Sequence, residues 1–275
     1  LKKLLENQTI DATTYELSLT EPLPEKPHEL PNIAPHLVGR VAQKQAGKRV
    51  KTSIDYYLQE RINQIVSKYY RHYKQFEVHN MCVLVANIRT RQVLAYIGNT
   101  PTDASHQKDV NIIHRPRSTG SVLKPFLYAA MLDSGELLPQ ELVADVPTHI
   151  AGYSPENFEN SYEGAVPADQ ALAKSLNIPF VLLLRQYGIS RFYQQLQKLQ
   201  LSSINRSPDH YGLSLVLGGA ESTLWELCSA YASMGFDLQH FCEKGTYSSG
   251  AYQPLSYHLS PLDYGKEQKD KSHFS

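Results

Sequence analysis

Before residue 236 the strand-like text of this chain is one hairpin, and that constrains its fold more than any other feature. Two runs rich in Val, Leu and Ile, Met81–Ile88 and Gln92–Ile97, are joined through Arg89-Thr90-Arg91 and read as paired strands. From Ser118 to Gly235 the periodicity is mainly helical, including Ile189–Leu199 and Thr223–Met234, with a polar loop at Leu201–His210. A lone two-stranded hairpin is marginal in water and needs helices or further strands packed on it. The residues between must therefore supply that layer.

Ahead of the hairpin, residues 1–20 read as two short helices, with Asp11 as an N-cap before Tyr15, Leu17 and Leu19. Residues 21–48 follow as a linker, where Pro22, Pro24, Pro27, Pro31 and Pro35 favour extended backbone. Ser53 then reads as the cap of a long helix with Ile54, Tyr57, Leu58, Ile62, Ile65, Val66 and Tyr69 on one side. Residues 236–275 are rich in Gly, Ser and Tyr; only Ala251–Leu259 is strand-like, and the last dozen residues read as frayed. Lys+Arg and Asp+Glu balance at 27 each, so charge implies neither a nucleic acid nor a membrane surface as partner. Cys82 and Cys228 read as small core hydrophobes. The histidines show no His-Glu-x-x-His spacing, so no metal or other cofactor is expected.

Chemistry concentrates in Arg117-Ser118-Thr119-Gly120-Ser121-Val122-Leu123-Lys124-Pro125-Phe126. A hydroxyl and an amine three residues apart at a helix start share one face. An amine kept neutral by burial can take the serine's proton, and the N–H groups of a helix N-terminus suit the oxyanion of an attacked carbonyl. Ser105-His106-Gln107-Lys108 repeats the spacing in a polar run that reads as a solvated loop, whereas Ser121 opens an apolar segment closed by Gly135. A second hydroxyl and an amide stand at Ser175-Leu176-Asn177, between the apolar runs Ala168–Lys174 and Pro179–Tyr187. Side chains two apart in such a turn can enter one cleft. The other Ser-x-Asn, Ser203-Ile204-Asn205, lies in the polar loop.

Ser-x-x-Lys followed by Ser-x-Asn resembles the penicillin-binding proteins and serine β-lactamases, whose third motif is Lys-Thr-Gly. The wider text is similar to bifunctional class A penicillin-binding proteins, and among them to the subgroup called penicillin-binding protein 1C. The passages that carry this are 50–59, 93–99, Arg117–Tyr128, Ala171–Pro179 and 217–227. The resemblance implies an α+β fold of β-lactamase/transpeptidase type, with a helical layer on an antiparallel sheet. It implies a helical tail of a glycosyltransferase domain at 1–20, the linker at 21–48 and the transpeptidase domain at 49–275. It also implies acyl transfer on D-Ala-D-Ala stem peptides of peptidoglycan, with β-lactams acylating the same serine. Ser121 would be the nucleophile and Lys124 its base, Ser175 a proton relay, and Asn177 a holder of Lys124 and substrate, with Gly120 also lining the substrate site. The parent would use lipid-linked precursor and stand on the periplasmic face of the inner membrane, held by an anchor outside this chain.

One departure stands out, because the sequence contains no Lys-Thr-Gly. Lys51-Thr52-Ser53 precedes the nucleophile, and Lys244-Gly245-Thr246 has the composition in another order. The expectation is a domain truncated before its third motif, with an incomplete sheet and little activity alone. Two other readings stay open: a serine β-lactamase, and a non-catalytic β-lactam-sensing or scaffold module.

Overall fold

The computed structural model of the chain describes residues 1–22, 31–150, 152–247 and 252–259. It divides into two compact units, Leu1–Asn32 and Ile33–Ser275. The first holds α1 (Lys2–Glu6) and α2 (Ala12–Thr20). Asp11 caps α2, its carboxylate accepting the Thr14 N–H at 2.7 Å. Of the expected linker, Pro24 and Pro27 lie outside the described residues. Its second half is not extended, because Pro35 opens a helix, α3 (Pro35–Lys44). Proline at a first helical position has a suitable φ and its missing N–H costs nothing there.

In the second unit α4 (Tyr56–Tyr73) packs on the antiparallel hairpin β1 (Val83–Ala86) and β2 (Val93–Ile97). Two expectations for α4 are corrected. Its cap is Asp55, which accepts the Leu58 N–H at 2.8 Å, while the buried Ser53 hydroxyl donates to the Val93 carbonyl instead. The buried face is only partly the one chosen: Val66 is buried as expected, but Tyr57, Ile65 and Tyr69 are 82%, 40% and 48% exposed, and Gln59 and Tyr70 are buried in their place. Apolar residues surround this helix, so periodicity could not select a face.

Gln59 selects it. Its Oε1 accepts the Tyr96 N–H at 2.7 Å, and its Nε2 donates to the carbonyls of Tyr96 at 3.3 Å and Ile33 at 3.2 Å. The side-chain amide thus stands in for a neighbouring strand along the outer edge of β2. Gln59→Leu would leave those buried groups unpaired, at a cost of about 2 kcal/mol. Urea unfolding should show that loss, and an unchanged midpoint would contradict it.

The chain continues through β3 (Arg117–Ser118), α5 (Lys124–Asp133), β4 (Leu142–Asp145), β5 (Gly164–Pro167) and α6 (Ala168–Ala173). It then forms α7 (Asn177–Tyr187), α8 (Ile189–Lys198), α9 (Pro208–Tyr211), β6 (Glu221–Ser222) and α10 (Leu224–Lys244). Among the described residues strands pair only two by two: β1 with β2, β3 with β6 and β4 with β5. The last two ribbons escaped the sequence reading because strands of two to four residues show too little alternation. Residue 251 lies outside the described residues, and the rest of the expected strand, 252–259, makes isolated bridges, Thr52 with His258 and Gln92 with Ser256. Helix α10 overruns its expected end at Met234. Gly235 sits inside it against Ile88, and the helix stops at Gly245, whose φ of +70° suits glycine.

The main core lies among the helices. Helix α7 buries Ile178, Phe180, Val181, Leu183 and Leu184, with Leu123, Leu127 and Met131 around α5 and Phe192 and Leu196 of α8 sharing the cluster with most of them. A second cluster joins the hairpin to Ile113, Leu255 and Tyr257, with Cys82 and Cys228 packed against it. Burial pushes the Cys82 thiol up to about 11, so it behaves there as a small hydrophobe.

Candidate active site

Ser121 reaches its place through a tight glycine approach. Ribbon β3–β6 continues into Thr119, whose N–H donates to the Ala220 carbonyl at 3.0 Å, and the Ser118 hydroxyl donates to the Gly218 carbonyl at 2.8 Å. Gly120 turns with φ +52°, and a Cβ on Gly218 would come within 2.8 Å of the Gly120 Cα. Both positions thus need glycine. Ser121 lies in the turn before α5, and its carbonyl accepts the Lys124 N–H at 3.1 Å.

Lys124 is the most unusual side chain in the molecule. It is 1% exposed, among Phe180 and other core residues, yet has no carboxylate partner among the described residues. Its Nζ donates to the Ser175 carbonyl at 2.7 Å, the Ser175 Oγ at 3.3 Å and the Asn177 Oδ1 at 2.8 Å. Three acceptors match the three donors of an ammonium. Burial still disfavours the charge and pushes the lysine down to about 8. An amine of that kind is neutral for part of the time near neutral pH.

The turn between α6 and α7 presents the acceptors. Ser175 has φ +55°, a left-handed conformation rare for residues with a Cβ, held by its N–H to Leu172 O and the Leu176 N–H to Ala171 O. Asn177 is the first residue of α7, so Pro179 falls third rather than first. A second layer of hydrogen bonds, with no local sequence signal, fixes this turn. The buried Asn157 Oδ1 accepts the N–H groups of Asn177 at 2.9 Å and Ile178 at 3.3 Å, and Asn177 Nδ2 donates to the Glu156 carbonyl at 2.8 Å. Asn157 Nδ2 in turn donates to the fully buried Asp145 at 2.7 Å. Asn157 lies in a run, Pro155-Glu156-Asn157-Phe158-Glu159-Asn160, with nothing to set it apart from a surface loop.

Lys124, Ser175 and Asn177 are thus joined by direct hydrogen bonds, and Ser121 is tied to Lys124 through the backbone. Among the described hydrogen bonds none links Ser121 Oγ to Lys124 Nζ; such catalytic contacts often tighten only with substrate bound. The rejected copies sit elsewhere. Ser105 Oγ donates to Asp103 Oδ1 at the cap of an exposed 3₁₀ turn, and Ser203 offers its N–H to Glu226 in the loop before α9. Lys244-Gly245 ends α10, so it is no strand.

The left-handed backbone of Ser175 makes a separable prediction. Ser175→Gly relieves strain of about 1 kcal/mol that Ser175→Ala retains, while both lose the hydroxyl. The glycine variant should unfold at higher urea than the alanine variant, and equal midpoints would contradict the strain.

Comparison with known proteins places this geometry. The family described as "Penicillin binding protein transpeptidase domain" matches residues 81–239. Penicillin-binding protein 1C of Escherichia coli is 30% identical over 217 residues, covering 78% of this chain and 28% of that protein. Penicillin-binding protein 1B of Vibrio cholerae is 24% identical over 283 residues, covering 96% of this chain and 34% of its own length. The chain thus spans roughly a third or less of these relatives. Among solved structures, penicillin-binding protein 1A of Haemophilus influenzae superposes with TM-score 0.66 at 16% identity, over 84% of this chain and 50% of that one. PonA1 of Mycobacterium tuberculosis in complex with penicillin V superposes with TM-score 0.56 at 19% identity, over 94% and 59%. These likenesses show the α+β transpeptidase fold.

Proposed function

The chain belongs to the penicillin-binding protein transpeptidase family, and from that premise we propose that it is the acyl-transfer part of a peptidoglycan cross-linking enzyme, with Ser121 as nucleophile. The observation that carries this reading is Lys124: a buried amine held by Ser175 and Asn177 and pushed down to about 8. Lys124 Nζ takes the Ser121 proton as Oγ bonds to the carbonyl carbon of the D-Ala-D-Ala amide. Ser175 passes that proton to the departing amine, so the C–N bond breaks and terminal D-alanine leaves. An amine of a neighbouring stem then attacks the ester, its proton returns through Lys124, and Ser121 is freed with the cross-link made. Asn177 keeps Lys124 oriented and offers its amide to substrate, and Gly120 lets the substrate backbone approach. A β-lactam would acylate Ser121 in the same way and stay bound.

The parent reading extends further. Residues 1–20 would be the tail of a glycosyltransferase domain that uses lipid-linked precursor, residues 21–48 the linker and 49–275 the transpeptidase. The protein would work at the periplasmic face of the inner membrane through an anchor elsewhere in the parent. Among the described residues no helix is long and apolar enough to cross a membrane. The family's Lys-Thr-Gly strand supplies one oxyanion donor and the carboxylate contact, and losing one such donor costs about 100- to 1,000-fold. The 275-residue chain by itself should therefore release no measurable D-alanine from a D-Ala-D-Ala peptide, whereas the chain joined to a downstream Lys-Thr-Gly segment should. Absence of release from the joined protein would overturn the proposed activity.

A further inference from the structure

A pocket of about 540 Å³, whose lining includes none of Ser121, Lys124, Ser175 and Asn177, is lined by His114, Gln200, Ser202, Thr223, Trp225 and Tyr252 together with Glu226 and Pro254. None of these residues touches Lys124, Ser175 or Asn177 through a described hydrogen bond. The volume falls in the range of roughly 300–1,000 Å³ usual for small-molecule sites. Its lining has a definite chemistry. Trp225 forms an aromatic wall, braced by the His114 ring at 5.0 Å and edge-on by Tyr257 at 6.2 Å. Burial pushes His114 down to about 4, so it is neutral. Glu226 is held in place at both oxygens: Oε1 accepts from Ser202 Oγ at 2.6 Å and Ser203 N at 3.0 Å, Oε2 from Ser222 Oγ at 2.9 Å and Thr223 N at 3.1 Å. It has no strong acceptor left for a cationic ligand, and its charge repels an anionic one. What remains for a ligand is neutral: the Gln200 amide, which enters no described hydrogen bond, and the Thr223 hydroxyl, which accepts the Glu226 N–H and retains its own proton to donate.

A flat indole beside uncharged donors and acceptors selects an uncharged ring with an apolar C–H face and hydrogen-bonding substituents. We propose that the Trp225 pocket binds an N-acetylated pyranose, the kind of sugar unit that carries a stem peptide. This rests on the peptidoglycan reading above and names a glycan contact for it, separate from the acyl-transfer groups. A domain that holds the glycan as well as the peptide would gain substrate position from a part of the polymer that does not react.

Trp225 is the chain's sole tryptophan, so its fluorescence reports the pocket directly. Titrating the purified chain with a β-1,4-linked N-acetylglucosamine trimer should shift the emission saturably, in the millimolar range. Gln200 has φ +59°, so Gln200→Gly is tolerated by the backbone while removing the amide. That variant should keep the emission of the free protein and bind the trimer at least about fivefold more weakly, the effect of roughly one hydrogen bond. Glucose oligomers without the acetamido group should also bind more weakly. No saturable shift, or equal affinity in Gln200→Gly, would overturn the proposal. Ser121→Ala should titrate like the parent chain, so loss of penicillin labelling and loss of sugar binding are separate failures.

Discussion

Lys124→Arg should lower the rate of acylation by penicillin roughly a thousandfold in the chain joined to a Lys-Thr-Gly segment, the scale on which a general base acts. A guanidinium keeps its proton at any working pH and cannot accept one from Ser121. Arginine retains the positive charge, so a role for Lys124 that was only electrostatic would survive the change. The unmodified protein gives an independent reading through pH. Lys124 is pushed down to about 8, so its neutral fraction grows about tenfold per pH unit below that value and levels off above it. Acylation should follow the same curve. Stability should respond with a defined sign. The folded value lies below the unfolded 10.5, so the buried ammonium costs stability below pH 8. That cost, about 3 kcal/mol, is relieved as pH rises from about 8 to 10.5. Urea midpoints should therefore climb over that window in the parent relative to Lys124→Met. Arginine acylating at the parent rate, or a flat pH profile, would remove Lys124 from the mechanism.

Ser121→Ala should abolish acylation, a loss on the order of a millionfold where a serine nucleophile is removed. The variant should leave stability nearly unchanged, because Ser121 lies in the turn before α5 and holds the fold through its backbone carbonyl, which alanine keeps. Ser105→Ala should leave labelling as it was. That hydroxyl is occupied in capping a surface turn beside Asp103 and His106.

The four polar residues proposed for the site stand out in the sequence because each motif is local: Ser121 and Lys124 share one turn of chain, as do Ser175 and Asn177. Their apolar flanks separated them from Ser105 and Ser203, and the structure puts Ser105 at the surface and Ser203 half-buried in a loop against Glu226. The residues that hold them were not legible. Asn157 and Asp145 act across 12 to 20 positions of sequence, through hydrogen bonds that no periodicity encodes. Helix α4 failed for a related reason. Its buried face is set by one polar residue, Gln59, completing the edge of β2, while large apolar residues stay exposed. The helical pattern runs out at Met234, yet α10 continues through Gly235, where a Cβ would make ordinary contact with Ile88.

The central claim is that Ser121 is the acylated residue, and one measurement bears on it directly. The joined protein would be incubated with labelled penicillin, digested and mapped by peptide mass. The label should sit on the peptide containing Ser121 and be absent in Ser121→Ala, with Ser105→Ala labelled at the parent level. Label that persists in Ser121→Ala, or that maps to Ser105 or Ser175, would contradict the account.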